Sequence, residues 1–222
     1  MDDGMVGVEE LYRQRFAGMQ KKRNRVWRVL CRYFEKYIPN NATVLDIACG
    51  HGEFVNNLQI SGGAIFAADI NLDSKGLLRD GVNFIQSSAE SISLPDASLD
   101  VVFASNFFEH LNGSEMFLAV LKNIRRMLKN GGRLLVLQPD LRWTGAAFWD
   151  FLDHRFPVTV PRMVEAAGLV GLRPEKIISR FLPYTMSGKM PVHPFLVKLY
   201  LSLMPVSGWF MGKQAFVVFR KE

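Results

Sequence analysis

The chain is poor in the residues from which metal centres and disulfide frameworks are built. Its 222 residues include 2 cysteines and 4 histidines, with no C-x-x-C pair or His/Cys cluster at metal-ligand spacing. Cys31 and Cys49 by themselves cannot form a disulfide framework. The sequence therefore predicts no metal site and no disulfide scaffold, and a cytoplasmic location is the default expectation.

Long apolar runs are also missing. No stretch of about 18 or more apolar residues is present to cross a bilayer. Residues 1–10 are acidic and mixed, unlike the apolar region of a signal peptide. With 222 residues and 49% hydrophobic content, the chain can bury one large core. We therefore expect a single domain over residues 1–222.

The most informative segment is residues 44–54. Its short apolar run ends before Gly50, which is typical of a parallel strand covered on both faces. Gly50 and Gly52 allow the backbone to turn sharply and to approach a ligand without an intervening Cβ. Helical spacing restarts at Glu53, so the turn presents free amide N–H groups at a helix N-terminus. This pattern indicates a site for a nucleoside cofactor.

The glycine turn departs from the dinucleotide fingerprint G-x-G-x-x-G in two ways. Val55 replaces the third glycine, and Asp46 lies four residues before the first. A carboxylate at Asp46 would repel a pyrophosphate, but it suits a ligand that carries an ammonium or sulfonium group. The pattern D-x-x-x-G-x-G resembles the first motif of class I S-adenosylmethionine-dependent methyltransferases.

Downstream segments extend this resemblance over roughly residues 40–180. A second apolar strand, residues 64–69, ends in Asp69 about twenty residues after the glycine turn, the spacing at which a carboxylate meets ribose hydroxyls. The segments that resemble the family's later motifs are residues 83–90, 94–104, 106–111 and 133–137.

The resemblance implies an α/β fold, with a doubly wound, mostly parallel sheet of seven strands whose last strand is antiparallel. Strands are expected around residues 177–182 and 214–219, and residues 183–212 between them form an insertion rich in Met, Pro, Leu and aromatics. Its central piece, residues 195–204, is apolar nearly all round, so something must cover it. Core packing, a lid over the acceptor site, a dimer contact and a membrane surface are the alternatives.

The resemblance also implies S-adenosyl-L-methionine as the cofactor. Ser88 stands where the family usually has an acid for the adenine amino group, so adenine binding would pass to a hydroxyl, the Ala89 N–H or Glu90. The implied cofactor-binding residues are Asp46, Ala48, Gly50, Gly52, Asp69, Ile70, Ser88, Ala89 and Asn106.

Two histidines are candidates for catalysis. His110 follows the fourth strand, and His154 lies in an aromatic and acidic segment after the fifth. Histidine is the commonest general base near neutral pH, so both could deprotonate an acceptor. The alternative is that each only holds a neighbouring loop in place. Trp149 and Phe151 either line an acceptor pocket or pack in the core.

A basic segment precedes the first strand. Between residues 13 and 36 lie nine Lys or Arg residues and one acid, Glu35, and apolar residues recur mostly every three or four positions. Residues 1–40 are therefore predicted to be a basic amphipathic helical segment. It either packs beside the sheet with a solvated basic face or is attracted to anionic membranes or phosphate-bearing substrates.

These features predict a methyltransferase that acts on a small-molecule, glycan or lipid-linked acceptor. The N-P-P-Y type of motif and an RNA-binding module are both absent, which argues against a nucleic acid target. The sequence leaves open whether the protein contacts a membrane surface and whether it forms a homodimer. The alternatives are a non-catalytic S-adenosylmethionine-binding module and, less favoured because of Asp46, an NAD-dependent oxidoreductase.

Overall fold

The computed structural model describes residues 20–184, 193–204 and 206–222. Alternating and continuous apolar runs in these residues form the strands of one mixed sheet. The strands are β1 (Thr43–Ile47), β2 (Ala64–Asp69), β3 (Val82–Gln86), β4 (Leu99–Ser105), β5 (Leu128–Pro139), β6 (Leu172–Leu182) and β7 (Gln214–Lys221).

The described residues give a seven-stranded sheet in the order β3-β2-β1-β4-β5-β7-β6. Strands β1 to β5 pair in parallel, and β7 lies antiparallel between β5 and β6. The predicted doubly wound sheet with an antiparallel last strand is therefore confirmed. The chain order reverses between β1 and β4, and ligands bind outside the carboxyl ends of parallel strands at such a point.

Helices cover both faces of the sheet because successive side chains of each central strand point to opposite faces. In β1, the Val44 side chain lies in a core formed with the helices that directly precede and follow the strand. The Leu45 side chain lies in a second core, formed with helices later in the chain. The helices are α1 (Gln20–Phe34), α2 (Glu53–Asn57), α3 (Ser114–Met127), α4 (Leu141–Thr144), α5 (Val160–Leu169), α6 (Pro194–Ser202) and α7 (Val206–Met211).

Helix α1 lies against the sheet with its apolar face. Trp27, Leu30 and Phe34 are buried there, while Arg25 and Arg28 are exposed. The described part of the basic segment thus packs beside the sheet and leaves its basic face in solvent. Residues 1–19 of that predicted segment lie outside the described residues.

The insertion between β6 and β7 contains α6 and α7, while residues 185–192 and 205 lie outside the described residues. One side of it packs on the core and on α1, through residues such as Val197 and Leu201. Its other side exposes large apolar residues, among them Trp209 at 68% and Phe210 at 76%. In the part of the chain that the structure describes, no helix is long and apolar enough to span a membrane.

Candidate functional site

The glycine turn after β1 is joined directly to the end of β2. Gly50 and Gly52 have positive φ angles of 51° and 70°, which glycine adopts at little cost. The Gly50 N–H donates to Asp69 Oδ2 at 2.8 Å, and the Asn71 N–H donates to Asp69 Oδ1 at 2.9 Å. These two hydrogen bonds orient the carboxylate that the sequence predicts to bind ribose, and they also fix the turn.

Two further residues of the predicted cofactor set have strained backbones. Ala48 and Asn106 follow β1 and β4, with φ angles of 52° and 48°. Such conformations cost on the order of 1–3 kcal/mol and concentrate at functional sites. Main-chain hydrogen bonds hold the neighbouring peptides, from Cys49 N to Ala68 O at 3.0 Å and from Asn106 N to Leu137 O at 2.8 Å.

Acidic side chains make this turn suited to a cationic ligand. Asp46 and Glu53 are both buried. Burial raises the pKa of Asp46 well above its usual range, and the nearby carboxylates of Glu53 and Asp69 raise it further. Arg23 of α1 pairs with Glu53 at 2.7 Å. A ligand with ammonium and sulfonium groups, such as S-adenosylmethionine, would relieve the remaining repulsion.

The rest of the predicted cofactor set lies at the same edge of the sheet. Ser88 and Ala89 follow β3, and the Ser87 N–H donates to Asp69 O at 3.0 Å, which joins this segment to the end of β2. Ile70 is 59% exposed immediately after Asp69 and offers an apolar surface next to the predicted ribose position. The structure therefore brings all nine predicted cofactor residues to the carboxyl ends of β1 to β4.

Replacement of Asp69 tests this arrangement. Asp69→Ala is expected to weaken S-adenosylmethionine binding by about 2 kcal/mol, because charge-assisted hydrogen bonds in a shielded site are lost. Calorimetric titration measures the change. Asp80→Ala, which removes an exposed carboxylate in the turn before β3, is the control. Equal affinities of the two variants would remove Asp69 from the site.

A second group of polar side chains follows β4. Glu109 lies in a 3₁₀ turn, Phe108–His110, and is only 1% exposed. Its Oε2 accepts a 2.7 Å hydrogen bond from Gln138 Nε2. Its main-chain oxygen accepts from the N–H groups of Arg155 and Phe156 at 2.8 and 3.0 Å. These last contacts dock the segment after β5 and place His154 beside His110, with ring centroids 5.3 Å apart.

Main-chain carbonyls set the tautomers of both histidines. His110 Nδ1 lies 2.9 Å from Asp153 O, and His154 Nδ1 lies 2.8 Å from Phe148 O. Because a carbonyl only accepts, each Nδ1 carries a proton and each Nε2 keeps a lone pair in the neutral ring. Both Nε2 atoms lie 4.0 Å from Glu109 Oε1. We call these three side chains, Glu109, His110 and His154, the histidine-glutamate cluster.

The surroundings of His154 are aromatic. Its ring stacks on Phe151 at a centroid distance of 4.9 Å, and Tyr184 Oη lies 3.5 Å from its Nδ1. Burial lowers the pKa of His154, although the Glu109 carboxylate acts in the opposite direction. Trp149 is 52% exposed, which excludes the alternative that it packs in the core.

Gln138 is a site residue that the sequence analysis missed. It is buried at the end of β5, where its Oε1 accepts from the Phe108 N–H at 3.3 Å while its Nε2 orients Glu109. The signal available in the sequence was a polar residue directly after the apolar run 134–137. Asp140, two residues on, has a structural role, since it caps α4 and pairs with Arg142 at 2.8 Å.

Comparisons with known proteins give the family to which the chain is similar. The family described as "Methyltransferase domain" matches residues 45–136. A relative from Pectobacterium atrosepticum, named "Ubiquinone/menaquinone biosynthesis C-methyltransferase UbiE", is 32% identical over 169 residues, which are 69% of this chain and 66% of the relative. Its namesake from Pasteurella multocida is 36% identical over 110 residues, 43% of this chain and 39% of the relative. The chain thus spans slightly under two thirds of the first relative's length and much less of the second.

Solved structures share the whole fold. A SAM-dependent methyltransferase from Archaeoglobus fulgidus superposes with a TM-score of 0.69 at 22% identity, covering 96% of this chain and 99% of that one. The [4+2]-cyclase SpnF superposes with a TM-score of 0.62 at 17% identity, covering 86% of this chain and 79% of that one. Similarity at these identities establishes the architecture alone.

Proposed function

The chain belongs to the class I S-adenosylmethionine-dependent methyltransferases, and on that premise we propose that it transfers a methyl group to an acceptor held at the histidine-glutamate cluster. One observation carries the proposal. The glycine turn follows β1, Glu109 and His110 of the cluster follow β4, and these two strands are paired in parallel. Their carboxyl ends are therefore neighbours, as a donor site and an acceptor site must be.

The protein's own groups have a limited task in this reaction. S-adenosylmethionine, when bound, supplies a methyl group already activated on a sulfonium. Asp46, Asp69 and the glycine turn bind and orient that cofactor. The histidine-glutamate cluster binds the acceptor and facilitates loss of its proton, and the surrounding aromatic side chains exclude water.

Titration of the purified protein with S-adenosylmethionine, S-adenosylhomocysteine and NAD tests the cofactor assignment. Micromolar binding of the first two and none of NAD is expected. Labelled methyl donor is then incubated with the protein and with aqueous and lipid extracts. A labelled product supports methyl transfer, whereas donor binding without product from either extract favours the non-catalytic alternative. Binding of NAD alone contradicts the proposal.

We further propose that the acceptor is a small molecule, free or linked to a lipid or glycan, with substantial apolar surface. The insertion starts beside the cluster, since Tyr184 contacts His154 and Phe151. From there it continues into α6 and α7, whose outward side is apolar. Exposed Lys198 on α6 and exposed Arg28 on α1 add positive charge that suits an anionic membrane surface.

The exposed side of the insertion gives a test of the membrane proposal. The double variant Trp209→Ser/Phe210→Ser is expected to bind anionic vesicles at least about tenfold more weakly, because burial of each large aromatic side chain contributes roughly 1.5–3 kcal/mol. Vesicle sedimentation measures the binding. Leu169→Ser, which removes an exposed apolar side chain from α5, is the control. Equal vesicle binding by both variants and the unchanged protein would contradict membrane contact through this surface.

A further inference from the structure

We infer that the histidine-glutamate cluster binds one divalent transition-metal ion of the zinc class. A Glu109 carboxylate oxygen and one ring nitrogen from each histidine all lie within 4.8 Å of one another. Bonds from zinc to nitrogen or carboxylate oxygen are about 2.0–2.2 Å, so two ligand atoms at the tetrahedral angle on one ion lie about 3.4 Å apart. The two Nε2–Oε1 separations of 4.0 Å are a few tenths of an ångström longer than this, so small rotations of the two rings and of the carboxylate close the site around an ion.

The hydrogen bonds around the cluster are those that hold metal ligands. Each imidazole donates Nδ1–H to a main-chain carbonyl, which leaves its Nε2 lone pair available to a metal ion. Gln138 fixes the second oxygen of Glu109. The alternative role of the two histidines, to hold neighbouring loops in place, would require only their Nδ1 contacts. It does not explain why both Nε2 atoms converge on the same carboxylate oxygen.

Charge supports the same assignment. Glu109 is almost fully buried, and a buried carboxylate is costly unless charge or hydrogen bonds compensate it. A divalent cation between Glu109 and the two neutral imidazoles supplies that compensation. Two nitrogen ligands and one oxygen ligand favour zinc or a similar ion over Mg²⁺, which prefers an all-oxygen shell. The sequence expectation of no metal rested on spacing along the chain, and our inference departs from it because the fold brings together side chains that are distant in the sequence.

The ion would have an open coordination position for the acceptor. Three protein ligands are typical of catalytic zinc sites, whose fourth position holds water or substrate. An acceptor hydroxyl bound there has a lowered pKa, so it releases its proton to solvent and its oxygen becomes the nucleophile for the methyl group. This role of the ion in catalysis rests on the proposed function, whereas the binding of the ion does not.

Cobalt binding tests the site without donor or acceptor. Untagged protein is freed of metal with a chelator and titrated with Co²⁺, whose visible absorption reports coordination by nitrogen and oxygen. One equivalent per chain, displaced by Zn²⁺, is expected. His110→Ala, His154→Ala and Glu109→Gln should each weaken Co²⁺ binding at least 100-fold, and Gln138→Ala about 10-fold. His193→Ala and Glu115→Gln, which change exposed residues outside the cluster, should bind Co²⁺ normally.

Two accompanying measurements separate the possible failures. Circular dichroism and S-adenosylmethionine titration show that each variant is folded, and Zn²⁺ should raise the Tm of the unchanged protein but not of the cluster variants. Metal-free protein that takes up no Co²⁺ or Zn²⁺, or cluster variants that bind these ions normally, would overturn the inference. If such protein still transfers labelled methyl groups, the proposed function stands without the metal. If the ion binds but S-adenosylmethionine does not, the metal site stands and the proposed function fails.

Discussion

Gly50→Val is expected to abolish detectable binding of S-adenosylmethionine while the domain remains folded. Gly50 has a φ of 51°, a conformation that costs ordinary residues roughly 1–2 kcal/mol and β-branched residues more. Its N–H also donates to Asp69 Oδ2, so a shifted backbone would disturb the ribose carboxylate as well. In addition, the branched side chain would occupy space where the backbone should approach the ligand.

Calorimetric titration measures this loss, and the chain provides a matched control. Gly81 also has a positive φ, 83°, but a Cβ added there meets nothing within 4 Å. Gly81→Val therefore introduces comparable backbone strain in a turn away from the cofactor residues. It is expected to lower the Tm while it binds the donor normally. Normal donor binding by folded Gly50→Val would show that the turn is wrongly assigned.

The double variant His110→Ala/His154→Ala is expected to lower the rate of methyl transfer by about 100-fold or more. Both Nε2 atoms are lost from the cluster, and positioned acid–base groups typically contribute 10²–10⁴-fold to a rate. Donor affinity should stay within about twofold, because neither histidine belongs to the predicted cofactor set. This separation of rate from donor binding distinguishes a role at the acceptor from a general loss of structure.

Single-turnover transfer from labelled donor to the acceptor found in the extract screen gives the rate. His193→Ala, in which an exposed histidine at the start of α6 is removed, serves as the control and should transfer normally. Restoring one histidine at a time shows whether both rings are needed. A double variant that transfers methyl groups at the rate of the unchanged protein would remove the cluster from catalysis.

Features that depend on neighbouring residues were predictable from the sequence. The mostly apolar strand at 44–48, the glycine turn and Asp69 follow one another along the chain, and their spacing predicted the cofactor site at the end of β1 and β2. The bounds of β5 could not be predicted in this way, because pairing with β4 and β7 lengthens the strand beyond the predicted residues 133–137 to Leu128–Pro139.

The sequence by itself determined the fold class and the cofactor, through a family resemblance carried by strands, turns and spacings that are local patterns, and it predicted the donor side of the site. Only the tertiary structure decided that Asp69 holds Gly50 and that His110 and His154 meet at Glu109. The parallel pairing of β1 with β4 and the contact of Arg155 with the Glu109 carbonyl bring these groups together. Such contacts join residues far apart in the chain, and no periodicity or short motif encodes them.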